Sequence, residues 1–61
     1  MMNDKLRTNC NAILLAMLGP DLAKDWWQSR NKAFDMLTPE EIWGNNPMQV
    51  YTYLAHQANR G

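Results

Sequence analysis

Sixty-one residues with six basic and six acidic side chains allow one domain and leave no overall field to draw the chain to DNA, RNA or an anionic bilayer. The lone Cys10 excludes an intramolecular disulfide, and Cys10 and His56 are far apart and lack companion ligands for zinc. A chain of about 60 residues buries only about 60% of its unfolded surface, so self-association, a partner protein or unusually good helix packing has to supply the rest.

The first element expected is a helix over residues 4–18, with Leu6, Cys10, Ile13, Leu14 and Met17 along one face. Ala12, Leu15 and Ala16 widen that stripe, which predicts cover on more than one side. The apolar run 12–18 is shorter than the roughly 20 residues of a membrane span. Asp4 precedes it and "GPDLAKDWW" follows without a small-x-small cleavage site, so a signal peptide is not expected. A soluble cytoplasmic protein is.

Gly19 ends this helix. Pro20, Pro39 and Pro47 then follow Gly19, Thr38 and Asn46, each a plausible N-cap, and proline at the first helical position sacrifices no hydrogen bond. A second helix is predicted over 20–29, with Leu22, Ala23, Trp26 and Trp27 on one face. The turn "RNKAFDML" leads to a short third helix over 39–43, closed by Gly44. The fourth spans 47–59. "TPEE" and "NPMQ" place Glu41 and Gln49 three residues after their caps, the spacing of a capping box. Period-two alternation is absent. The fold expected is all-α, a small four-helix domain in which two longer helices frame two short ones.

Little in this pattern suggests catalysis. Cys10 lies on the apolar stripe, where cysteine acts as a small hydrophobe. Glu40 and Glu41 complement a helix start. There is no glycine-rich phosphate loop or metal motif, so neither an enzyme nor a cofactor is expected. The fourth helix carries Gln49, Thr52, Gln57, Asn59 and Arg60, and one positive charge is too few for phosphate-driven binding of nucleic acid.

The aromatic residues, 10% of the chain, point elsewhere. Trp26 and Trp27 diverge by about 100° on a helix, and Tyr51 and Tyr53 diverge further. Trp27, Phe34, Ile42, Val50 and Leu54 are assigned to the core, against Ile13, Leu14 and Met17. At least one tryptophan and one tyrosine should then be substantially exposed. Trp26, Trp43, Met48, Tyr51 and Tyr53 are the candidate protein-binding residues, with Met36 adding to the patch.

The ordered pattern "W…S-R-N-K-A-F-D-x-x-T-P-E-E-I-W…N-P-x-x-V…Y-L" over residues 21–57 resembles the C-terminal toxin-binding domain of the Xre/MbcA/ParS antitoxins. The matching residues are Trp27, Asn31, Ala33, Phe34, Thr38, Pro39, Ile42, Val50 and Leu54. On this division residues 1–19 form an N-terminal helix and 20–61 the antitoxin-like motif. Family members commonly carry an upstream helix-turn-helix region, where a single helix precedes the motif here. A glycine is common just before "T-P", where Met36 and Leu37 stand here. The resemblance implies a small helical domain that neutralises a partner protein, typically a RES-domain toxin that consumes NAD. The C-terminal segment, "HQANRG" here, would block the toxin's active site. A phage- or prophage-encoded inhibitor of a host enzyme, a homodimer that buries the surplus aromatics, and a DNA-binding regulator fragment are the alternatives.

Overall fold

The computed structural model describes residues 2–59. Helix α1 (Met2–Trp26) is followed by a 3-10 turn (Lys32–Phe34), α2 (Pro39–Asn45) and α3 (Pro47–Ala58). The architecture is all-α, as the sequence predicts. Among the described residues the one sheet-like feature is an isolated antiparallel bridge between Asn31 and Leu37.

Helix α1 is two arms, 2–18 and 20–26, meeting at a corner. Gly19 adopts φ 83° and ψ 169°, a region essentially reserved for glycine. Pro20 has no N–H to continue the first arm's ladder and starts the second instead. A straight helix of 25 residues would be about 37 Å long, whereas the largest extent of the molecule is 28 Å. The first arm and α3 are the longer pieces, and the second arm and α2 the short ones. Helix α3 packs chiefly on α1 and also on α2.

The core is Cys10 and Leu14 from α1, Trp27 and Phe34 from the connection, and Val50 and Leu54 from α3. Leu14, Val50 and Leu54 are completely covered, and burying an aliphatic side chain of this size stabilises by about 1.5–3 kcal/mol. Ile13 and Ile42, expected in the core, are half-buried at its edge. Met17 is 43% exposed: it lies nearly one turn beyond Leu14, toward the corner. Ala12, Leu15 and Ala16 are exposed too, so α1 is covered on one side only.

Helix starts follow the sequence at Thr38 and depart from it at Asn46. The Thr38 hydroxyl accepts from the Glu41 N–H at 3.2 Å and the Glu41 carboxylate accepts from the Thr38 N–H at 3.3 Å, which completes a capping box. Gly44 lies inside α2, which closes at Asn46, where the Asn46 N–H donates to the Ile42 carbonyl at 2.7 Å. Because Asn46 ends one helix and begins the next, its backbone is drawn to φ −153° and ψ 83° and its side chain makes no cap hydrogen bond. The Gln49 N–H is taken by the Asn46 backbone carbonyl at 3.1 Å instead.

The turn before α2 is tightly closed. Asn31 caps the 3-10 helix, its side chain accepting from the Ala33 N–H at 2.9 Å. Asp35 N–H donates to the Lys32 carbonyl and Met36 N–H to the Asn31 carbonyl, the paired bonds of a Schellman closure. This places Asp35 at φ 54° and Met36 at φ 66°, a left-handed conformation that costs roughly 1–2 kcal/mol per non-glycine residue. Met36 is exposed, so little packing offsets that cost. Met36→Gly is expected to stabilise the fold by about 0.5–1 kcal/mol after the entropy of glycine is allowed for. The measurement is thermal melting, where the midpoint should rise by a few degrees.

Candidate protein-binding surface

The strongest polar feature involves Arg7, a residue that sequence reasoning passed over. Its two terminal nitrogens donate to the two carboxylate oxygens of Glu40 at 2.9 and 2.6 Å, which ties the first arm of α1 to the start of α2. The guanidinium carbon also lies 3.6 Å from the Trp27 ring centroid and 5.3 Å from that of Trp43. Trp27 meets Trp43 edge to face at 5.5 Å and donates its indole N–H to the Asn11 side-chain oxygen at 2.8 Å. The Trp27 carbonyl accepts from the Glu40 N–H at 3.1 Å, so the residue just past α1 pairs with the first turn of α2. The available signal was spacing: Arg7 precedes Cys10 and Leu14 by three and seven residues, on the same face as the core stripe.

The five candidate residues fall into separate neighbourhoods. Trp26 stacks on Tyr53 with centroids 6.4 Å apart and planes at 17°, and both rings contact Phe34 edge to face. Tyr53 and Met48 line an open groove of about 530 Å³ together with Ala33, Phe34, Asn46, Gln49 and Thr52. Trp43 belongs to the Arg7 cluster. Tyr51, two positions from Tyr53, lies on the opposite flank of α3. The structure thus joins Trp26, Met48 and Tyr53 and separates Trp43 and Tyr51 from them.

Exposure corrects the expectation for the rings. Trp26, Trp43, Tyr51 and Tyr53 are all half-buried, because they cover one another and the core. Among the described residues the large apolar side chains most exposed to solvent are leucines and methionines: Leu15, Met17, Leu18, Leu22, Met36, Leu37 and Met48. Of the five candidates only Met48, 54% exposed, stands well clear of the fold.

Cys10 is buried, and burial pushes its thiol up, against a smaller opposing pull from Arg7; His56 is exposed. Among the described residues no three His, Cys, Asp or Glu side chains gather to hold a metal ion. Among the same residues no helix is long and apolar enough to cross a membrane. The tail "HQANRG" runs past the described residues at 60–61. No protein-family model, curated protein or solved structure matches the chain.

The hydrogen bonds from Arg7 hold the Glu40 carboxyl below the usual glutamate range and, reciprocally, raise Arg7. A lowered carboxyl contributes stability that is complete above the unfolded-state value, about 4.3 for glutamate, and is lost as pH falls through the folded-state value. Denaturant unfolding from neutral pH to about pH 3 should therefore show an acid-side loss that is smaller in Glu40→Gln. Arg7→Lys keeps the charge but loses the planar stack and fork; it should be less stable than wild type by about 0.5–2 kcal/mol. In the native protein Cys10 should react with a thiol reagent only at the rate of global opening, and Ellman's reagent with and without denaturant measures this.

Proposed function

We infer that the chain is a non-catalytic protein-binding module, antitoxin-like, that neutralises a partner protein by covering part of its surface. The observation that carries the reading is the groove at the start of α3. Phe34 and Tyr53 form its apolar wall, Met48 stands exposed at its edge, and Asn46, Gln49 and Thr52 supply the polar groups. An exposed apolar side chain beside a recess walled by aromatic rings is a feature on which protein interfaces anchor. The resemblance to the toxin-binding domain of the Xre/MbcA/ParS antitoxins gives the partner class, a RES-type toxin that consumes NAD. Also in its favour, the stretch before "T-P" where the family commonly has glycine is where Met36 takes a left-handed backbone. A phage- or prophage-encoded inhibitor of a host enzyme would use the same surface.

The test is co-expression with a RES-domain toxin in a bacterial host, with cellular NAD as the readout. Preserved NAD and growth are the expected result, lost with Met48→Glu while the melting temperature stays near that of the parent. Met48 is a better probe than Tyr53, because Tyr53→Ala also removes the stack on Trp26 and the contact with Phe34. NAD depletion unaffected by the co-expressed chain would remove the antitoxin reading.

A further inference from the structure

The corner at Gly19 turns the second arm of α1 back toward the first, and an open notch of about 420 Å³ lies between them. One wall is Arg7, Asn11 and Leu15, spaced four residues apart and so in a row on the first arm. The other is Pro20, Ala23, Lys24 and Trp27, from the second arm and the residue just past it. The hydrogen bond from the Trp27 indole to Asn11 joins the two walls at 2.8 Å. The notch shares no lining residue with the groove at α3.

Its polar side chains offer donors only. Asn11 spends its side-chain oxygen on the Trp27 indole, which leaves its amide N–H groups. Arg7 keeps donors as well, because Glu40 occupies only part of its fork. Lys24 is exposed, and among the described residues it has no carboxylate partner. Among the same residues no acidic side chain lines the notch. Leu15, Pro20, Ala23 and the Trp27 ring make the rest of it apolar.

We propose that this notch docks a segment of a partner protein in which a carboxylate adjoins an apolar side chain. The carboxylate accepts only, so it suits Lys24 and the Asn11 amide, and the apolar side chain covers Leu15 and Ala23. A protein segment fits better than a small acid because Leu15 and Pro20 are both exposed. Walls this open do not enclose a ligand as small-molecule sites do. The apolar surface also continues past the notch to Leu18, one turn beyond Leu15 and exposed, where an extended segment can cover it.

An NMR titration of the full chain with N-acetyl-leucine, which carries both groups, tests this. The Trp27 indole and Asn11 side-chain amide signals should shift, with a dissociation constant on the order of millimolar. N-acetyl-leucinamide lacks the charge and inorganic phosphate lacks the apolar body, so each should bind roughly tenfold more weakly. Lys24→Gln, at an exposed position, should weaken the acid by a similar factor and leave the amide unchanged. N-acetyl-leucyl-leucine should bind several-fold more tightly than the single residue, a gain that Leu18→Ala should remove. Met48→Glu should bind as the parent does, which separates this notch from the groove. Equal binding of the amide or of phosphate, indifference to Lys24→Gln, no gain from the second leucine, or no shift at Trp27 and Asn11 would each overturn the proposal. Micromolar binding of N-acetyl-leucine alone would make the notch a small-molecule site and overturn it too.

Discussion

The fold depends on the placement of one guanidinium. Arg7 sits over the Trp27 ring while its fork grips Glu40, and Trp43 flanks the same guanidinium. Through that one side chain the first arm of α1, the end of the second arm and the start of α2 are fixed relative to one another. Both long side chains keep some exposure, 29% for Arg7 and 41% for Glu40, so the ion pair by itself is worth little in water. Its value lies in geometry: the planar group is held by stacking, and the stacked ring is held by the Asn11 hydrogen bond. With a core cluster of six buried side chains among the described residues, a half-buried cation on an aromatic ring adds cover that so small a core cannot supply.

This arrangement also accounts for the concentration of aromatic residues in one segment. The two adjacent tryptophans stand at the end of α1 and just past it, and each finds its own neighbours. Trp27 turns to Arg7 and Trp43, and Trp26 turns to Tyr53 and Phe34. The two sets meet at the Trp26–Trp27 edge contact, 5.2 Å between centroids. Trp26, Trp27, Phe34, Trp43 and Tyr53 therefore form one continuous network, partly core and partly its cover, and the most exposed apolar surface falls to leucine and methionine side chains instead.

What could be read from the sequence was the local chemistry. Gly19–Pro20, Thr38–Pro39–Glu41 and Asn46–Pro47 set the helix boundaries because each acts within a turn of itself. The same locality misled at Asn46, where closing α2 and opening α3 make incompatible demands on one backbone. The Arg7–Glu40 pairing joins residues 33 apart, and no spacing rule reaches that far. The candidate surface was legible only as composition: Met48 stands free as expected, while the exposure of Trp26, Trp43, Tyr51 and Tyr53 depended on which ring covers which. That is a property of the assembled layer and not of any segment.

The corner at Gly19 bears on how quickly the native state can be reached. By turning α1 back on itself, it lets Arg7 and Asn11 find Trp27 within a span of some twenty residues. That part of the topology is thus assembled from neighbours along the chain, and the Arg7–Glu40 pairing and the docking of α3 onto α1 are the steps that must close a long loop. Chains organised this way search little conformational space before committing, and helical domains of low contact order fold in roughly microseconds to milliseconds. Two residues that look like a simple interruption of a helix thereby shorten the search that precedes folding.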